Sequence, residues 1–134
     1  DDMKHVVEKI ESTGNKKILL TERGTTFGYH NLVVDMRSLE IMKDTGYPVI
    51  MDATHAVQIP SHGGISGGQP QFISTIAKAA AAVGIDGLFL EVHPDPPKAL
   101  SDSASQMHLN KLHNLLKLIK QIDFLVKNEN RNSE

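Results

Sequence analysis

Three short segments carry side chains able to do chemistry together. Glu22-Arg23-Gly24, Asp52-Ala53-Thr54-His55 and Glu91-Val92-His93 each follow a brief apolar run. Arg23 offers a planar guanidinium that grips a phosphate or carboxylate through paired N–H groups, and Glu22 could orient it; an exposed loop ion pair is the plainer role. His55 could bind a metal, contact a phosphate or transfer a proton, with Asp52 or Thr54 fixing its tautomer, whereas a lone histidine is also a common structural residue. Glu91 adds a carboxylate, and Asp102 stands eleven residues further on. His55, Glu91 and Asp102 then supply one nitrogen and two carboxylates, a set acceptable to a borderline divalent metal. A helix cap or turn is the other reading of Asp102.

Between the second and third segments lies Ser61-His62-Gly63-Gly64-Ile65-Ser66-Gly67-Gly68. It is small and glycine-rich, so its backbone can approach a ligand closely and move as a lid, or simply serve as a flexible loop. Its spacing departs from G-x-x-x-x-G-K-[ST], and no nucleotide site is proposed. His5, His108 and His113 read as packing or solvent-facing residues.

The elements that must position these groups alternate in type. Met3, Val6, Val7 and Ile10 follow helical spacing and Gly14 can end the turn, which predicts a helix over Asp2 to Thr13. Further helices are expected over Val34 to Thr45, Gln71 to Val83 and Leu109 to Val126; the last has Leu112, Leu115, Leu116, Ile119 and Ile122 on its apolar face. The short runs Ile18–Thr21, Pro48–Met51 and Leu88–Leu90 read as strands buried on both faces. Their starts at Lys17, Pro48 and Gly87 lie roughly 31 and 39 residues apart, which suits right-handed βαβ units and a parallel sheet. Residues just past such strands share one rim, so Arg23, His55 and Glu91 belong to one site, with Asp102 folding back over it. The pattern fits either a small three-layer α/β domain or a piece of a (β/α)8 barrel, which takes about 250 residues.

Composition narrows the function classes. The chain has 134 residues, 40% of them hydrophobic and 22% charged, which describes at most one globular domain. A formal net charge of −2 leaves no basic surplus for a nucleic-acid backbone or an anionic membrane, so small anions are the expected partners. Absence of cysteine removes disulfides and thiolate ligands from the chain and, with no signal-peptide character at the start, points to the cytoplasm. No apolar run approaches the roughly 20 residues needed to span a bilayer.

Larger blocks carry a resemblance. They are Glu22-Arg23-Gly24, Phe27-Gly28-Tyr29, Asn31 to Met36, Asp52 to Gln58, Ser66-Gly67-Gly68, Asp86 to Glu91, His93 to Pro96 and Lys98 to Asp102. In order and spacing they resemble the second half of the 3-deoxy-manno-octulosonate 8-phosphate synthases, over about Lys4 to Lys127. The likeness displaces the small-domain reading. It implies an α/β (β/α)8 TIM barrel of which this chain supplies strands six to eight, the N-terminal half lying outside it. Residues 1–127 would be the C-terminal part of one barrel domain and 128–134 a polar tail that frays.

The resemblance also implies chemistry. Such enzymes condense phosphoenolpyruvate with arabinose 5-phosphate in Kdo and lipopolysaccharide biosynthesis, in the cytoplasm, as homotetramers and without an organic cofactor. Arg23 would hold phosphoenolpyruvate, and Gln58 and Ser66 would close over the sugar phosphate. His55 and Asp102 would act in catalysis, His55 between the phosphate and a metal or water. Metal-dependent members hold Zn, Mn or Fe through residues matched by His55, Glu91 and Asp102 plus an upstream cysteine. The run Ala99-Leu100-Ser101-Asp102-Ser103-Ala104 looks more like those members than like the usual Cys-Asp-Gly-Pro form. The sister heptulosonate 7-phosphate synthases, which use erythrose 4-phosphate, usually lack the block matched by Phe27 to Met36, complete here apart from His30. An alternative of another class is a non-catalytic half-barrel that pairs its open edges with a second copy.

Overall fold

Alternating helix and strand patterns of this spacing leave little choice but parallel pairing, and the computed structural model has it. Residues 2–27, 31–60 and 67–131 are described. Helix α1 (Asp2–Glu11) leads into strand β1 (Leu20–Glu22), the short strands β2 (Thr25–Thr26) and β3 (Leu32–Val33), helix α2 (Met36–Lys43) and strand β4 (Val49–Asp52). Strands β5 (Gln58–Ile59) and β6 (Gly67–Gly68), helix α3 (Ile73–Val83), strands β7 (Gly87–Phe89), β8 (Val92–His93) and β9 (Met107–His108), and helix α4 (Leu112–Arg131) complete the order. The central sheet runs β1-β4-β7, all parallel, with Leu20 opposite Val49, Thr21 opposite Ile50 and Asp52 opposite Phe89.

Side-chain alternation splits the sheet into two unlike faces. Leu20, Val49 and Met51 point toward the helices and form a core with Leu39 and Met42 of α2, Ala80 of α3 and Val7 of α1. Ala77, Ala80 and Ala81 are fully buried, and their small side chains let α3 pack tightly against its neighbours. A second cluster joins Ala53, Val57, Ile73, Ala77, Met107 and Leu115. The opposite face is open: Thr21 and Phe89 are exposed, as is Leu19 just before β1. Burial on both faces, expected for all three strands, therefore holds only for central β4; β1 and β7 each have one strand neighbour among the described residues.

Several boundaries move for local reasons. Helix α2 begins at Met36 rather than Val34 because Asp35 caps it, its carboxylate accepting from the Arg37 amide at 3.0 Å. One 3₁₀ turn at Pro70–Phe72 precedes α3, another at Leu109–Lys111 precedes α4, and His108 caps the latter by accepting from Asn110 N at 3.3 Å. Gly84 ends α3 at φ +87°, a conformation few other residues adopt. Helix α4 runs on to Arg131 with no break at Asn128, whose amide donates to Phe124 O; positions 132–134 lie outside the described residues. Val6 and Leu116, placed by spacing on apolar faces, are exposed. Among the described residues no helix is long and apolar enough to cross a membrane.

Candidate active site

The rim at the C-terminal ends of β1, β4 and β7 gathers the chemically capable side chains. Arg23 follows β1, His55 opens the turn after β4, Gln58 lies in β5, Glu91 follows β7, and Asp102 sits in the loop between β8 and β9. Parallel strands in register bring their ends level, so residues far apart in sequence become neighbours.

His55 is fixed from one side by Asp52, which is buried at the end of β4. One Asp52 oxygen accepts the backbone N–H groups of Thr54 at 3.1 Å and His55 at 2.9 Å; the other lies 2.6 Å from His55 Nδ1. A carboxylate only accepts, so Nδ1 carries the hydrogen and Nε2 presents its lone pair. That nitrogen faces Glu91 Oε1 at 3.7 Å and Asp102 Oδ2 at 3.9 Å. One ligand atom from each of the three residues lies within 4.8 Å of the other two. Donors about 2.1 Å from a tetrahedral ion stand about 3.4 Å apart, so the cluster is close to the size a small divalent cation needs. Two carboxylates facing one imidazole also leave negative charge that a cation would neutralise.

Each carboxylate has its own support. Thr54, fully buried, accepts from the Glu91 backbone N–H at 2.7 Å, while Gln106 donates to Glu91 Oε2 at 3.2 Å and to Ser101 O at 2.9 Å. Asp102 has φ +48°, the one described non-glycine residue in the left-handed region, and its carbonyl accepts from Ser105 N and Gln106 N. Gln58 donates to Asp102 Oδ1 at 2.5 Å and accepts from Arg23 Nη2 at 3.5 Å, so it stands between the guanidinium and the three-donor cluster. Gly68 of β6 lies against the Asp102 loop so closely that a Cβ there would fall 2.4 Å from Ala104 O. His55 also stacks, tilted, with Phe89 at 5.9 Å between ring centres.

The residues singled out by sequence thus converge, with two adjustments. Of the two partners open for His55, Asp52 is used and Thr54 serves Glu91 instead. Ser66 lies outside the described residues. Sequence reasoning missed Gln106, for a glutamine gives no local sign of its partner 15 positions away.

Comparison with known proteins gives the family. The profile of the DAHP synthetase I family matches residues 1–128. The chain belongs to that family. Among curated relatives, a 2-dehydro-3-deoxyphosphooctonate aldolase of Francisella philomiragia is 57% identical over 129 residues, 96% of this chain and 47% of its own length. Proteins of the same name from Syntrophotalea carbinolica and Xanthomonas campestris pv. campestris are 58% and 54% identical over 127 residues, each covering 94% of this chain and 46% of the relative. The chain spans about half the length of the curated relatives it matches.

Proposed function

We propose that this chain is the C-terminal part of a 3-deoxy-manno-octulosonate 8-phosphate synthase, with β1, β4 and β7 as the sixth to eighth strands of a (β/α)8 barrel. The observation that carries this is the continuous line from the Arg23 guanidinium through Gln58 to the His55, Glu91 and Asp102 donors, all on one strand-end rim. Relatives at 54–58% identity that bear the aldolase name support the same reading.

In this reaction C3 of phosphoenolpyruvate forms a bond to the sugar aldehyde carbon, water adds at C2, and phosphate leaves with cleavage of its C2–O bond. Two anions must be held close and aligned, and this is a large part of the barrier. Arg23 holds the phosphoenolpyruvate anion by paired N–H groups. His55, kept by Asp52 in one tautomer, directs Nε2 into the site, and Asp102 stands ready to orient water or the developing hydroxyl. Gln58, hydrogen-bonded at both ends, spaces the guanidinium from Asp102; Ser66 and Gln58 remain the candidates for contact with the sugar phosphate. A divalent metal such as Zn, Mn or Fe, held by His55, Glu91 and Asp102, would supply electrophilic stabilisation of the oxygen that gains charge. The remaining phosphoenolpyruvate and sugar contacts, a fourth ligand and a homotetrameric, cytoplasmic enzyme are assigned by the same reading to the complete protein.

The test is phosphate release by the complete enzyme from phosphoenolpyruvate with arabinose 5-phosphate or erythrose 4-phosphate, before and after exhaustive chelation. Preference for the five-carbon sugar and recovery on adding divalent metal are expected. Faster turnover of erythrose 4-phosphate would assign the chain to the heptulosonate branch, and full activity after chelation would remove the metal.

A further inference from the structure

Glu22 sits on the helix side of β1, with its backbone directly before Arg23, and each of its carboxylate oxygens accepts a hydrogen bond. One oxygen accepts the Gly24 backbone N–H at 2.6 Å, and the other accepts the Ser38 hydroxyl, from the first turn of α2, at 2.5 Å. No cation pairs with Glu22 among the described residues, so its bonds are made to neutral donors and fix geometry. Gly24 itself turns at φ +85°, and a Cβ there would meet Leu32 Cβ and Val33 O, both at 3.3 Å. Gly24, directly after Arg23, is therefore held between the Glu22 carboxylate on one side and β3 on the other.

Resting on the proposed role of Arg23 as the phosphoenolpyruvate ligand, we infer that Glu22 and Ser38 are positioning residues that set the guanidinium by anchoring its turn to α2. A flexible arginine at a strand end has many rotamers and an unsteady origin; tying the peptide N–H that follows it to α2 through Glu22 reduces the second source of disorder. The bond to Ser38 makes α2 the reference against which the arginine is placed, and the N-terminal end of α2 is itself capped by Asp35.

The experiment measures the Kd of phosphoenolpyruvate by calorimetry, without the sugar, for the complete enzyme and for Arg23→Ala, Glu22→Ala, Glu22→Gln and Ser38→Ala, with Tm recorded for each. Glu22→Ala is expected to weaken binding about tenfold or more, and Ser38→Ala somewhat less, the scale of losing charge-assisted hydrogen bonds. Glu22→Gln should bind within about threefold of the parent, because its amide oxygen still accepts from Gly24 and its NH2 can donate to Ser38 Oγ with the hydroxyl reversed. That rescue separates geometry from charge, and unchanged KM for the sugar phosphate separates positioning from general damage. Should Glu22→Ala fail to fold, Ser38→Ala decides. Parental Kd in Ser38→Ala, or in Glu22→Ala with lowered Tm, would reduce the clamp to a stability feature and overturn the inference; so would a Gln variant as weak as Ala. If the parent does not bind phosphoenolpyruvate, or Arg23→Ala binds it normally, the site reading fails and the inference falls with it.

Discussion

Asp52 decides what His55 can do. With the aspartate on Nδ1, the imidazole offers Nε2 as a lone pair toward Glu91 and Asp102. Replacing it with asparagine forces a conflict. Either the amide NH2 faces Nδ1 and moves the imidazole hydrogen to Nε2, or it faces the Thr54 and His55 backbone N–H groups that now need an acceptor. Asp52→Asn is therefore expected to weaken Zn or Mn binding by the complete enzyme roughly 10- to 100-fold, the usual effect of losing a ligand's hydrogen-bond partner. Competition with a chromophoric chelator measures it, and parental affinity would show that Asp52 has no hold on the metal.

At the scale of elements, the site depends on how closely short strands and loops approach. Gly68 of β6 lies where any side chain would drive into Ala104 O and Ala104 C, at 2.4 and 2.6 Å. The Asp102 loop would have to retreat, since backbone cannot rotate away as a side chain can. Gly68→Ala should thus lose metal affinity and turnover by about tenfold or more while circular dichroism stays close to the parent; parental turnover would show that the loop yields without consequence. Helix α2, which carries Ser38, has a pH-dependent cap. The hydrogen bond from the Arg37 side chain, with that from its backbone, holds the Asp35 carboxyl below its ordinary value of 3.8. A depressed carboxyl contributes stability in full above that ordinary value and loses it as pH falls through the lower folded one. The Tm difference between the parent and Asp35→Asn should accordingly be present at neutral pH and close only below about 3.8. A difference that persists unchanged into strong acid would mean that the cap does not depend on charge.

For the whole molecule, the unlike faces of the sheet are the governing feature. One face is packed by helices, and the other leaves Leu19 and Phe89 exposed at 64% and 45%. Both outer strands have unpaired edges among the described residues, a geometry that invites pairing with further strands. The proposed barrel closes those edges with the half that the longer relatives possess. By itself, a 14.7 kDa species should self-associate in light scattering and release no phosphate from the two substrates. Mixing with the N-terminal half should restore turnover. Activity in a verified 14.7 kDa preparation would refute the shared-site arrangement, and a monomer that ignores the added half would refute the edge argument.

The six two-residue strands were not legible in the sequence; legible were the order of the four helices and the three strands of the central sheet, their parallel pairing, the strand-end positions of Arg23, His55 and Glu91, and the family. These follow from local regularities: periodicity, glycine stops, spacing and contiguous blocks such as Phe27 to Met36. Helix starts were less legible where a cap or a 3₁₀ turn intervened, as at Asp35 and Pro70. Packing in three dimensions was needed to set that Asp52 rather than Thr54 holds His55, that Gln58 reaches both Arg23 and Asp102, that Gln106 braces Glu91, and that Leu116 faces outward. Gln58 and Asp102 are 44 positions apart, and no periodic signal links them. Their bond exists because parallel strands in register deliver their loops to one rim, where each polar group takes the nearest partner of the right sense.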